Sequence, residues 1–305
     1  MRILFLGGSG MIGKNFQNLN ITNDFDVLYP GSQELNLLDK RQIEDYLMEN
    51  KPGLIINCAA KVGGIQANIE SPHEYFKINL EIGLNVIDSA LKAKIKKILN
   101  VGSSCMYPKI FQRPIKETDL LSGLLEPTNE GYALAKISVA RYCDYVSRKF
   151  NVDFKTLIPC NLYGPYDKFD EKTSHLIPAI IKKTYHAKKT NKKNIVIWGD
   201  GMARREFMYA EDFARFVCFS IKNFESIPRY LNVGIGKDYL VKEYYQRVAE
   251  IMNFEGGFDF DLDAPTGMKR KLNDISLLSR LGWNYTTELN EGIKKTVKYF
   301  LENEI

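Results

Sequence analysis

Tyr132 and Lys136 stand four residues apart in Tyr132-Ala133-Leu134-Ala135-Lys136, a spacing that sets both side chains on one face of a helix. A phenol beside an ammonium can pass a proton to and from a substrate oxygen, because the cation favours the phenolate and lowers the tyrosine pKa. Upstream, Val101-Gly102-Ser103-Ser104-Cys105-Met106-Tyr107-Pro108 follows an apolar run and puts hydroxyls and a thiol where a buried strand should end. Strand ends are where α/β enzymes keep their chemistry. On residue type alone Ser103 is either a strand-end backbone cap or a reacting hydroxyl. Cys105 is a small buried side chain or a reactive thiol, and it shares a side with Ser103 if the strand stays extended that far. His175 opens a helical pattern, where the backbone can satisfy it.

These groups need a scaffold, and the N-terminus supplies the first part of it. Gly7-Gly8-Ser9-Gly10-Met11-Ile12-Gly13 lies between an apolar run, Ile3 to Leu6, and a helical pattern from Met11. Gly7 permits a tight turn, Gly10 lets backbone N–H groups approach a pyrophosphate, and Gly13 lets the helix pack closely. A dinucleotide is expected there, with Met11 and Ile12 at the helix start. The end of the second strand, Tyr29-Pro30-Gly31-Ser32, lacks the carboxylate that accepts the ribose 2′-OH of NAD, which leans toward NADP(H), with NAD(H) as the alternative. It also lacks an arginine for a 2′-phosphate, leaving Ser32 or Lys14 to help. Asp39 either caps a helix or meets the adenine.

Apolar runs alternate with helical patterns through the first half: Phe25 to Tyr29, a helix around Arg41 to Glu49, Leu54 to Ala60, a long helix from about Glu74 to Lys92, Ile98 to Gly102, a helix over Asn129 to Phe150, and Phe154 to Ile158. That alternation predicts a Rossmann-type, doubly wound parallel sheet covered by helices on both faces. The expected division is a dinucleotide-binding domain over 1–165 and a smaller α/β substrate lobe over 166–305, with segments near 194–234 returning to the first domain. The stretch Pro159 to Lys172, rich in Pro, Gly, Asp and Asn, reads as a loop.

At 305 residues the chain is ample for a full core. No apolar run is long enough for a membrane helix and no leader pattern opens the sequence, so the cytoplasm is expected. Five scattered cysteines and three histidines, without ligand spacing, predict neither a disulfide framework nor a metal site. The net charge of +5 is mild. Its densest basic segment, Lys182 to Lys193, reads as a solvated helix face without any nucleic-acid-binding motif.

The motifs taken together resemble the extended short-chain dehydrogenase/reductase family, and within it the GDP-L-fucose synthases (GDP-4-keto-6-deoxymannose 3,5-epimerase/4-reductases). The shared segments are Ala59 to Ile65, Gly102 to Pro108, Leu125 to Glu130, Asn161 to Pro165, Ser174 to Ala179, Arg205 to Phe207, Lys271-Leu272 and Leu281 to Trp283. The resemblance implies that Ser103 bonds the sugar C4 carbonyl, Tyr132 protonates the developing alkoxide, and Lys136 tunes Tyr132 and holds the nicotinamide ribose. It implies Cys105 and His175 as base and acid for epimerisation beside the ketone. Cofactor contacts fall on Gly7, Gly10, Met11, Ile12, Gly13, Ser32, Asp39, Ala60 and Lys136. Contacts to a GDP-linked 4-keto sugar fall on Ser104, Asn161, Trp198, Arg205 and Lys271, although Arg204, Lys269 and Arg270 rival the last two and Trp198 could equally be core. A homodimer through the two long helices is also implied.

One departure stands out: where such synthases carry arginines near the glycine loop and second strand, this chain has Ser9 and Tyr29 to Ser32. The expected activity is NADPH-dependent 4-reduction with 3,5-epimerisation. The alternatives are C4 reduction alone on a related sugar such as a heptose, a nucleotide-sugar 4-epimerase, and a dinucleotide-sensing protein without turnover.

Overall fold

The computed structural model describes residues 1–19, 25–110, 113–171 and 173–303. The first half alternates strand and helix: β1 (Arg2–Leu6), α1 (Met11–Asn18), β2 (Asp26–Leu28), α2 (Lys40–Asn50), β3 (Leu54–Asn57), α3 (Ile65–Glu70), α4 (Pro72–Lys92), β4 (Lys97–Val101), α5 (Glu130–Phe150) and β5 (Asp153–Pro159). Short elements follow: β6 (Asn161–Tyr163), α6 (Leu176–Lys189), β7 (Asn194–Trp198), β8 (Arg204–Arg205), β9 (Phe207–Tyr209), α7 (Ala210–Lys222), β10 (Tyr230–Val233), β11 (Tyr239–Leu240), α8 (Val241–Ile251), β12 (Gly257–Asp261), β13 (Arg270–Lys271), α9 (Ser276–Arg280) and α10 (Leu289–Asn303). The central sheet has the order β10-β5-β4-β3-β1-β2, parallel throughout. It is the doubly wound α/β sheet expected, and its winding reverses between β1 and β3. Ligands bind beyond the strand ends at such a reversal.

Alternation along each strand feeds two helical layers. Ile3, Phe5, Leu54 and Ile56 pack with Phe16 of α1 and Phe213, Phe216 and Val217 of α7. Leu4, Leu6 and Ile55 turn the other way, onto Ile43 and Leu47 of α2, Val86 and Ile87 of α4, and Val139 and Cys143 of α5. A separate core joins α6, α8 and α10 through Ile177, Ile180, Tyr244, Val248, Ile293 and Phe300, with Ile195 and Ile197 of β7. Of the 194–234 stretch, β10 joins the central sheet, whereas β7 pairs with β12. Among the described residues no helix is long and apolar enough to cross a membrane.

Two local expectations are corrected. The stretch after Pro159 holds strand β6, paired in parallel with β9; three residues between Pro159 and Gly164 carry too little periodicity to announce a strand. The chain after β4 does not stay extended either, because it turns into a 3₁₀ helix over Ser104–Met106. Met106 and Tyr107 are fully buried, and the Tyr107 hydroxyl donates to Asn232 Oδ1 at 2.6 Å on β10, so the core pulls the turn inward.

Candidate active site

A single cleft of about 840 Å³ opens over the C-terminal ends of β1, β3 and β4 and runs toward β8 and β13. Its floor begins at the glycine turn. Gly7 has φ +85°, and a Cβ there would lie 2.8 Å from the backbone nitrogen of Ala59. At Gly13 a Cβ would lie 2.5 Å from the Cα of Gly8, so only glycine lets α1 come this close to the loop. Gly10 caps α1 without a side chain, leaving the first-turn N–H groups free of intrahelical partners. Gly7, Gly10, Met11, Ile12, Ser32 and Ala60 line the cleft, while Gly13 stands behind it as a packing residue. A bare helix N-terminus on a glycine turn fits the diphosphate of a dinucleotide. Asp39 plays no part in this wall; its carboxylate caps α2, accepting from the N–H groups of Arg41 and Gln42.

Ser103, Tyr132 and Lys136 meet where β4 ends, and all three line the cleft. The buried Lys136 Nζ donates to the Val101 carbonyl at 2.9 Å and lies 5.9 Å from the centroid of the Tyr132 ring. Ser103 Oγ accepts the Cys105 N–H at 3.2 Å, so its own hydrogen is free to donate. Burial holds Lys136 down to about 8. The expectation that Lys136 lowers the Tyr132 pKa is not met: burial raises it well above the ordinary phenol value, against the Ser103 hydrogen bond. Desolvation of the phenolate dominates, and Lys136 is not among the groups that lower the pKa. The proton therefore stays on Tyr132, which is the form a proton donor needs.

Across the cleft, β8 and β13 pair in parallel with Arg204 opposite Arg270 and Arg205 opposite Lys271. Asp238 takes both members of the first pair, Arg204 Nε at 2.8 Å and Arg270 Nε at 2.6 Å. Their neighbours project to the opposite face, and Arg205 and Lys271 line the cleft with Asn161 and Trp198. Lys271 Nζ is 3.6 Å from Cys105 Sγ, and Asn129 Nδ2 approaches that sulfur at 3.3 Å. His175 also lines the cleft, at the start of α6. Burial, assisted by the Lys271 cation, depresses its imidazole to about 4. At neutral pH His175 is thus an uncharged proton acceptor, whereas the resemblance implied it as the acid. Ser104 departs from expectation as well: the 3₁₀ turn buries it at 1% exposure, off the cleft wall, while Ser103 and Cys105 face in.

Residues 3–236 match the model of the NAD dependent epimerase/dehydratase family. The chain belongs to that family. It is 49% identical over its whole length to a GDP-L-colitose synthase of Yersinia pseudotuberculosis, covering 99% of that protein. It is 42% identical, again over its whole length, to a GDP-L-fucose synthase of Azorhizobium caulinodans, covering 98% of it. Among solved structures, a GDP-mannoheptose C4 reductase from Campylobacter jejuni with NADP bound is similar with a TM-score of 0.87 and 30% identity, at 98% coverage of each chain. As a member of this family the chain is an enzyme of the NAD(P)-dependent oxidoreductase/epimerase type.

Several cleft residues carried no expected role, Asn129, Glu126 and Asp167 among them. Asn129 touches Cys105 Sγ, and its position just before the Tyr132 helix was the available signal. Glu126 and Asp167 also line the cleft, within segments whose side-chain direction no periodicity reveals. Substituting Tyr132→Phe removes the only proton this residue can give. Turnover should fall by about 10²-fold or more, while dinucleotide affinity, read by fluorescence titration, stays close to wild type. Near-normal turnover would reject Tyr132 as the donor.

Proposed function

We propose that the chain is an NADPH-dependent 4-reductase of a GDP-linked 4-keto-6-deoxy sugar that also epimerises carbon next to the ketone. The observation carrying this reading is one cleft that joins Ser103, Tyr132 and Lys136 to Cys105 and His175, with Arg205 and Lys271 beside them. Its relatives' names, a GDP-L-colitose synthase and GDP-L-fucose synthases, point to the same substrate class. A reduced nicotinamide supplies hydride when bound in such a cleft. Ser103 donates a hydrogen bond to the ketone oxygen, and Tyr132 gives that oxygen its proton as charge develops. Lys136, anchored on Val101, stays beside the phenol and neutralises the charge left there. Arg205 and Lys271 bind the diphosphate. Cys105 and His175 exchange protons at carbons the ketone acidifies.

A second reading, reduction without epimerisation, is favoured by the likeness to solved heptose reductases, one of them a GDP-6-OMe-4-keto-L-xylo-heptose reductase with a TM-score of 0.90 and 28% identity.

The adenosine end of the cleft is lined by Ser9, Pro30, Ser32, Leu35, Asn36, Leu37 and Leu38, with no charged side chain among the described residues there. The nearby Lys40 is held on Asp88 at 2.8 Å. Neither 2′-phosphate nor 2′-hydroxyl has its usual charged partner, so NADP(H) is bound with weak discrimination against NAD(H). At the α4–α5 surface Phe76, Leu134 and Tyr145 are exposed, which suits a homodimer joined through these helices; sedimentation of a monomer at micromolar concentration would rule it out.

Product NMR in D₂O with GDP-4-keto-6-deoxymannose and its 3-deoxy counterpart should show deuterium next to C4 and consumption of NADPH. Cys105→Ser should stop the deuterium entry yet reduce a ketone already epimerised. Reduction without deuterium would favour the second reading, and hydride return without net NADPH loss would mark a 4-epimerase. Fluorescence titration should find NADPH and NADH affinities within about tenfold of each other, and Ser32→Arg should widen the gap toward NADPH. A wild-type preference of about a hundredfold would contradict that account.

A further inference from the structure

Several acidic side chains line the cleft without a part in the chemistry above, and one of them stands on a segment anchored at both ends. The segment that follows β6 is tied at one end to α1, where Asn15 Nδ2 donates to the Pro165 carbonyl at 3.0 Å and Asn18 Nδ2 to the Tyr166 hydroxyl at 2.9 Å. Toward α6 it is tied to the loop after β3, the Gly64 N–H donating to the Thr173 carbonyl at 2.7 Å. It thus bridges two elements of the dinucleotide side of the cleft before delivering His175. Tyr166 sits at φ +67°, a left-handed conformation that is costly for a bulky side chain and is retained where a neighbour must be aimed.

That neighbour is Asp167, which lines the cleft. Its Oδ1 accepts the Lys168 N–H at 2.8 Å. Its Oδ2 is shut off from solvent and has no hydrogen-bond partner among the described residues. Burial pushes the carboxyl up to about 7, with only the Lys168 N–H pulling the other way. A buried acceptor without a donor is costly, and native proteins rarely leave one unless something completes it. A diphosphate would be repelled by this oxygen, whereas a hydroxyl donates to it directly.

We propose that Asp167 is a binding residue whose Oδ2 accepts a hydrogen bond from a sugar hydroxyl, belonging either to the dinucleotide ribose or to the hexose of the nucleotide sugar. This rests on the reading of the cleft as a dinucleotide and GDP-sugar site. The unpartnered carboxyl oxygen, the left-handed residue before it and the two anchors of its segment agree on that role.

The test compares wild type with Asp167→Asn and Asp167→Ala by calorimetric titration with NADPH and, separately, with unreactive GDP-mannose, alongside thermal melts. Asn keeps its carbonyl on the Lys168 N–H and turns an amide N–H₂ toward the ligand. Affinity should weaken about tenfold or more in one titration, in both variants and with little change in melting temperature. Loss with NADPH assigns the ribose, and loss with GDP-mannose assigns the hexose. Wild-type affinity of both variants for both probes overturns the proposal. Failure of the wild type itself to bind either probe would instead overturn the reading of the cleft.

Discussion

The hydrogen bond from Lys136 Nζ to the Val101 carbonyl joins the two halves of the chemistry. Val101 closes β4, and Lys136 lies one turn along α5 from Tyr132, so this contact fixes the phenol relative to the strand end that carries Ser103. Lys136 is 6% exposed, and an ammonium in that position needs its acceptor, because a buried cation without one is strongly destabilising. The central sheet must therefore hold Val101 still. It does so through β3 on one side and β5 on the other, with the Gly102 N–H bonded to the Leu157 carbonyl at 2.8 Å just beyond the last paired residue.

The opposite wall rests on a different device. Two two-residue strands would be too short to define a surface alone, yet β8 lies between β11 and β13, and Asp238 pairs with both arginines on its far face. Glu206, next to Arg205, accepts the N–H groups of Ile235, Gly236 and Asn273 and is 1% exposed. Its own carbonyl accepts Asn161 Nδ2 at 2.9 Å. One buried carboxylate thereby ties together the segments that present Asn161, Arg205 and Lys271.

Strong periodicity made the central sheet legible. Most of its strands are built on apolar runs flanked by amphipathic helices, and the glycine turn occupies the one place where such a motif carries meaning. Tyr132 and Lys136 were legible for the same reason, since helix spacing alone puts them together. The second lobe was less so, because β8, β11 and β13 have two residues each and owe their existence to partners distant in sequence. Which of Arg204 and Arg205 faces the cleft depended on Asp238, which no local pattern connects to them. Ser104 was misplaced because a 3₁₀ turn is settled by a few backbone hydrogen bonds that sequence spacing does not register, and of the two roles open to Asp39 the structure shows the helix cap.

Burial acts on three groups of this cleft with consequences that differ in sign. For Tyr132 it disfavours the anion and keeps the donor proton in place; for Lys136 it disfavours the cation, yet about 8 still leaves the ammonium mostly charged at neutral pH. For His175 it removes the charge altogether. The resting cleft is accordingly protonated for reduction and unprotonated at the imidazole. Lys271 is the smaller cause of the His175 shift, so an anion settling on Lys271 moves the imidazole only part of the way back, and burial keeps the rest. His175 then begins any proton exchange as an acceptor, and becomes a donor only after it has taken a proton inside the cleft.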